Sequence, residues 1–230
     1  MKVAGHVALV TGANRGLGRS LAEALAAAGA RKVYAGARRP DGVSVPGAEI
    51  VKLDVSDPAG LAAAAARLRD VDILVNNAGL FLPTSPLADG AVEAARRQLE
   101  TNFFGLWEAS RVFAPILAAN GGGAIVNVLS ILSWVTIEGS AGYSASKSAA
   151  WAMSNGLRRA LAPQGTQVLS VHVAYMDTDM TAGIDAPKTA PALVAKQIVE
   201  ALEAGRSELL ADELTAQVKG GLGLEAAPYL

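Results

Sequence analysis

The chain contains no cysteine, which removes disulfide frameworks and thiolate chemistry together. Histidine is almost as scarce, with His6 and His172 the only two. Two histidines cannot complete a zinc site alone, and neither stands in an H-E-x-x-H pattern. They read as strand residues, His6 at an edge. Net charge is lacking too: 20 Lys and Arg against 21 Asp and Glu leave −1. That balance argues against a protein that holds nucleic acid by charge. No apolar run reaches the length of a membrane span, because Arg and Lys interrupt the alanine-rich stretches. The apolar part of Met1–Val10 is too short for a signal peptide and reads as a first strand. The motif G-x-S-x-G is also absent. Ser140 has Glu138 where that motif needs glycine, which excludes a serine-hydrolase elbow.

What is present is apolar and evenly patterned. Hydrophobic residues make up 51% of 230 and charged ones 18%, enough for one large domain with a sizeable core and too apolar for disorder. The balance fits a soluble, cytoplasmic enzyme. Short apolar runs predict strands at Val7–Val10, Lys32–Ala37, Glu49–Leu53, Val71–Val75, Ala124–Leu129 and Val168–Val173, with a short last one at Glu208–Ala211. Helical patterns fall between them, from Leu17 to Ala28, Pro58 to Arg69, Val92 to Ala119, Tyr143 to Leu161 and Pro191 to Ala204. This alternation calls for an α/β fold, a doubly wound parallel sheet with helices on both faces. No linker-like shift or internal repeat divides residues 1–230. The glycine-rich end, about 220–230, is expected to be a flexible tail.

In such a sheet, ligands sit outside the carboxyl ends of the strands where strand order reverses. The first loop, Thr11-Gly12-Ala13-Asn14-Arg15-Gly16-Leu17-Gly18, suits that place. Its glycines permit a tight turn and close approach of backbone to a pyrophosphate at a helix N-terminus. The second strand ends Ala35-Gly36-Ala37-Arg38-Arg39, without the acid that binds ribose hydroxyls in NAD-selective sites. Arg38 and Arg15 would instead suit a 2′-phosphate; the alternative is that both are solvated surface arginines. Asp54 either accepts a bond from an adenine amino group or caps a helix. Asn76-Asn77-Ala78-Gly79 closes the fourth strand at the same edge, as a ligand wall or as a simple turn. Ser130 ends the fifth strand, with Ser133 and Ser140 as rivals for the role of a donor to a substrate oxygen. Tyr143 and Lys147 stand one helical turn apart, either as a surface pair or as a phenol beside a cation. The second arrangement would lower the tyrosine pKa and suit it to proton transfer near neutral pH.

Thr11-Gly12-x3-Gly16-x-Gly18, Asn76-Asn77-Ala78-Gly79, Asn102, Ser130 and Tyr143-x3-Lys147, in this order and spacing, resemble the short-chain dehydrogenase/reductase family over roughly residues 5 to 205. The resemblance implies a single-domain Rossmann fold, a nicotinamide cofactor, which Arg38 and Arg15 favour as NADP(H), no metal, and a catalytic tetrad of Asn102, Ser130, Tyr143 and Lys147. It implies that Asn102 sits at a helix kink and holds a water that relays protons to Lys147. Cofactor contacts are implied at Gly12, Asn14, Arg15, Gly16, Leu17, Gly18, Arg38, Asp54, Val55, Asn76, Ala78, Gly79, Tyr143, Lys147, Met176 and Thr178. The implied reaction is reversible reduction of a ketone or aldehyde. An NAD-linked dehydrogenase of a sterol, sugar or fatty-acyl intermediate is the alternative, and a non-catalytic nucleotide sensor a further one.

Two departures from the family pattern stand out. Val173-Ala174 replaces its usual Pro-Gly, which bears on the nicotinamide wall. The segment from Thr178 to Pro191 is short and reads as a mobile loop, which predicts an open pocket for bulky or hydrophobic ketones. Ser130, Ile131, Leu132, Trp134, Tyr143 and Tyr175 are its candidate liners, although Tyr175 could equally pack on the sheet. A homo-oligomer is expected, a homodimer before a homotetramer. Ala145, Ser148, Ala149 and Ala152 would let a partner helix approach.

Overall fold

The strands are continuous apolar runs because both their faces are covered. In the computed structural model, which describes residues 1–229, seven strands form one parallel sheet in the order β3-β2-β1-β4-β5-β6-β7. They are β1 (Val7–Thr11), β2 (Lys32–Ala37), β3 (Glu49–Lys52), β4 (Ile73–Asn76), β5 (Ala124–Val128), β6 (Gln167–His172) and β7 (Glu208–Leu210). Helices α1 (Gly16–Ala27), α2 (Pro58–Arg67), α3 (Ala91–Leu99), α4 (Gly105–Ala119), α5 (Ala141–Leu161), α6 (Pro191–Glu203) and α7 (Glu213–Gly221) complete a single Rossmann-type domain.

Side-chain alternation along each strand sorts the core into two layers. Ala8 and Val10 of β1 face Leu17, Leu21 and Leu25 of α1 and Val194 and Ile198 of α6. Val7 and Leu9 face the opposite layer, with Leu61 of α2, Phe113 and Leu117 of α4 and Leu157 of α5. Each such side chain contributes about 1.5–3 kcal/mol of burial. Truncating the fully buried Phe113 to alanine would therefore cost about 3–5 kcal/mol.

The helical region from Val92 to Ala119 is interrupted at Asn102, where the family resemblance puts a kink. Glu100–Phe104 forms a π-helical turn between α3 and α4, with Asn102 inside it. A difference lies at the end of the chain, where sequence patterning placed a loose tail. Gly220 and Gly221 belong instead to α7, and Ala227 beyond it is buried. Asp212 starts that helix. Its side chain accepts a bond of 2.8 Å from the Thr215 N–H, an N-cap worth about 1 kcal/mol. Among the described residues no helix is long and apolar enough to cross a membrane.

Candidate active site

Strand order reverses between β1 and β4, and a cleft of about 610 Å³ opens there at the carboxyl ends of the strands. The glycine loop leaving β1 forms its floor. Gly12 has φ +66°, and a Cβ added to it would come within 2.9 Å of the Ala78 Cα. A Cβ on Gly18 would meet the Gly12 carbonyl oxygen at 2.3 Å. Side chains are excluded at both positions, which lets the loop pack against Ala78 and the start of α1 pack against the loop. Thr11 pins this arrangement: its hydroxyl donates to the Val75 carbonyl (3.2 Å) and accepts from the N–H groups of Asn77 and Ala78 (both 3.0 Å). The Asn77 amide in turn donates to the carbonyls of Thr11 (2.9 Å) and Gly12 (3.1 Å).

Asn77, not Asn76, is thus the asparagine of this wall. Asn76 is still in β4 and points into the core, where its amide donates to Ser110 Oγ (3.0 Å) and Asn127 Oδ1 (2.9 Å). It does not line the cleft. The neighbouring site residues Asn14, Arg15, Gly16, Leu17, Arg38, Asp54, Val55, Ala78, Gly79, Met176 and Thr178 all do, together with Arg39. Asp54 caps no helix; Asp57 stands at the N-terminus of α2. One carboxylate oxygen of Asp54 accepts from the N–H (3.0 Å) and hydroxyl (2.7 Å) of Ser56. Arg15 lies at the mouth, paired with Asp179 at 2.6 Å, and both side chains are about 70% exposed.

The other end of the cleft is buried and holds the Lys147 ammonium. Ser130, Tyr143 and Lys147 meet there. Ser130 caps the turn Ile131–Ser133, and its hydroxyl oxygen accepts from the Leu132 N–H at 3.1 Å. That leaves the hydroxyl proton for another acceptor. Lys147, 4% exposed, donates to the Val128 carbonyl at 2.9 Å, and its nitrogen stands 5.7 Å from the Tyr143 ring centre. Asn102 does not line the cleft but braces its wall. Its side chain accepts from the Leu80 N–H (2.7 Å) and donates to the Leu80 carbonyl and to Ser146 Oγ (both 2.9 Å). Ser146 passes the brace on by donating to the Tyr143 carbonyl at 2.7 Å.

A lysine-lowered tyrosine is not what this geometry produces. Burial pushes Tyr143 up to about 12, and the Ser130 hydroxyl offsets part of the rise, although among the described residues no hydrogen bond of full geometry joins the two hydroxyls. The ring keeps part of its surface open to the cleft. Lys147 yields as well, pushed down to about 8 by burial. Withdrawal from water disfavours both charged forms and is the leading cause of each shift.

The substrate side also differs from the sequence-based list. Ile131, Leu132, Trp134 and Tyr175 do not line the cleft; Leu80, Thr101, Ala174 and Met180 do. Ile131 is buried, its N–H donating to the Val173 carbonyl at 3.0 Å. Trp134 turns back to stack on His172, ring centres 4.0 Å apart. Phe81 was not anticipated, and its ring meets the Tyr143 ring edge-on at 5.2 Å. The segment after Thr178 is more structured than its composition predicts. Asp179–Thr181 forms a 3-10 turn, and Met176 bridges to Thr189. Val173 and Ala174, in place of Pro-Gly, do form the wall. The Ala174 N–H donates to Asp212 at 2.8 Å, which ties that wall to the start of α7.

Known proteins share both the motifs and the fold. The chain is 35% identical over 201 residues to trans-4-hydroxycyclohexanecarboxylate dehydrogenase of Sinomonas cyclohexanicum, covering 80% of this chain and 77% of that one. It is 35% identical over 185 residues to carbonyl reductase [NADPH] 2 of Sus scrofa, covering 78% and 75%. A short chain dehydrogenase from Burkholderia cenocepacia, solved in complex with NADP, superposes with a TM-score of 0.93 at 41% identity over 98% of this chain and 95% of that one. The family model described as short chain dehydrogenase matches residues 6–189. That stretch contains the glycine loop, Asn77, Asn102, Ser130, Tyr143 and Lys147, so the same residues that build the cleft place this chain in the short-chain dehydrogenase/reductase family.

Proposed function

We propose that this oxidoreductase is an NADP(H)-dependent carbonyl reductase, working in reverse as an alcohol dehydrogenase. The observation that carries the reading is the division of one cleft. Three arginines and no strand-end acid occupy its outer part, while Ser130, Tyr143 and Lys147 converge at its inner end. The glycine loop at the start of α1 suits a pyrophosphate, and Arg15, Arg38 and Arg39 suit a 2′-phosphate. When bound, NADPH supplies the hydride. Tyr143, whose buried phenol stays protonated well above neutral pH, gives its proton to the alkoxide oxygen that develops. Ser130, whose O–H is free, donates a hydrogen bond to the same oxygen and keeps its proton. Lys147 holds a cation beside both, and Asn102 steadies the start of the tyrosine helix.

The pig carbonyl reductase and the cyclohexanecarboxylate dehydrogenase among the relatives support carbonyl–alcohol chemistry. Phe81 against the Tyr143 ring and Leu80 in the cleft lining favour an apolar ketone. We also infer a homodimer. Ala145 and Ala152 of α5 and Phe104 and Trp107 beside α4 are exposed, a small-residue and aromatic face suited to a second copy.

The test is NADPH oxidation against aliphatic, aryl and keto-ester carbonyls, with NADH and Tyr143→Phe in parallel. Turnover that requires NADPH and falls about 10²–10⁴-fold in the variant is the expected result. Equal use of NADH would return the arginines to the role of surface charges. NADPH binding without turnover on any carbonyl would favour a sensing role.

A further inference from the structure

Behind Ser130 lies a buried ionisable group that the proposed chemistry does not use. His172, the last residue of β6, is fully buried. Its Nδ1 lies 3.1 Å from the Ser130 carbonyl oxygen. A carbonyl only accepts, so Nδ1 carries the proton and Nε2 is bare in the neutral ring. Among the described residues Nε2 has no hydrogen-bond partner; the nearest carboxylate, Glu208, is at 3.7 Å, beyond bonding range.

The ring also has a steric role. It stacks at 4.0 Å and 23° on Trp134, the residue that ends the turn Ile131–Ser133, and Ser130 is the residue that begins it. One imidazole therefore grips both ends of the turn that carries the Ser130 hydroxyl. Backbone bonds hold the residues on either side, Leu129 N–H to the Val171 carbonyl (2.7 Å) and Ile131 N–H to the Val173 carbonyl (3.0 Å). The Ser130 carbonyl also accepts from the Ser133 N–H at 3.0 Å within the turn, and His172 adds the side-chain contact that ties this carbonyl to β6.

We propose that His172 is a positioning residue for Ser130: by holding the Ser130 carbonyl and the Trp134 ring it fixes the turn and aims the serine hydroxyl into the cleft. The inference rests on the reading of Ser130 as the donor to the substrate oxygen. Charged groups approach the ring from three elements, Glu208 of β7, Lys219 of α7 and Lys147 of α5. Burial outweighs them and keeps the ring neutral at working pH, and the Ser130 carbonyl at 3.1 Å selects its Nδ1–H tautomer.

Three variants separate the possibilities. His172→Phe keeps a ring for Trp134 and loses the donor. In His172→Asn an amide N–H stands near the place of Nδ1–H and the stack is lost. Ser130→Ala removes the hydroxyl itself. His172→Phe is expected to lower kcat about tenfold, with the carbonyl KM, the NADPH Kd and the melting temperature nearly unchanged; His172→Asn recovers most of that loss. Equal kcat in the two variants, or a wild-type rate in His172→Phe while Ser130→Ala is inactive, would overturn this inference alone. Full turnover by Ser130→Ala would remove the role of Ser130 and the inference with it. Should His172→Phe not fold, the ¹⁵N spectrum of the wild-type imidazole decides the matter. A neutral Nδ1–H tautomer from about pH 5 to 9 is expected, and an Nε2–H tautomer overturns the proposal.

Discussion

The two ends of the cleft handle charge in opposite ways. At the mouth, Arg15 and Asp179 pair at 2.6 Å with some 70% of each side chain in water. Solvent keeps such charges intact and their coupling weak. At the inner end, Lys147 is 4% exposed with a backbone carbonyl as its partner, and burial alone moves it down to about 8. Water access, more than the identity of the nearest charge, sets what each group can do. The inner end alters proton affinities at the expense of stability.

The sharpest break in that contrast comes from Lys147→Met. Losing the ammonium should cut turnover about 10²-fold or more. It should also stabilise the fold. The fall from 10.5 to about 8 corresponds to ~3 kcal/mol of burial penalty, and the lost bond to the Val128 carbonyl takes back ~1 kcal/mol. A net gain of ~2 kcal/mol at pH 7 is expected in denaturant melts. Because the folded pKa lies below the unfolded one, the wild-type penalty is complete below about pH 8 and relaxes as pH rises toward 10.5. The advantage of the variant should fade over the same range. A destabilised Lys147→Met would mean that the ammonium is a structural asset, and the contrast between the two ends would fail.

Sequence alone shows the outer end of this contrast better than the inner. Strands buried on both faces read as apolar runs, so the sheet was legible almost strand by strand. The glycine loop, the missing acid at Ala37 and the arginines are local features, and the structure puts them at one mouth. The inner end depends on facts that span the chain. Asn76 and Asn77 are adjacent, and which of them faces the cleft is fixed by strand register. Trp134 looked like a pocket liner because its stacking partner, His172, comes from a distant strand. The spacing of Tyr143 and Lys147 reveals a neighbouring cation but not the low dielectric that overrides it. Helix α7 was missed although Asp212-Glu213 carries a capping signal, because glycines within the helix suggested a loop.

Arg38→Ala tests the mouth directly. Arg38 is exposed and lines the cleft just beyond β2. Removing a charge-assisted donor to a 2′-phosphate should weaken NADPH about tenfold or more and leave NADH unchanged. An equal loss for both cofactors would point to a general effect on the adenosine pocket.

The smallest effect is expected from Asp179→Asn, and it bears most directly on the weakly coupled end. Arg15 cannot keep Asp179 at 2.6 Å and also turn fully to a phosphate, so the carboxylate competes with the ligand. The amide has nearly the same shape and no charge. Freeing Arg15 should tighten NADPH about two- to fivefold, the range of an exposed pair, with NADH unaffected. Fluorescence titration at low and high salt measures it, and the gain should vanish at high salt, where the wild-type pair is already screened. Weaker NADPH binding in Asp179→Asn would reverse the assignment: the carboxylate would then be orienting Arg15 toward the phosphate, and even the exposed mouth would rely on a fixed geometry.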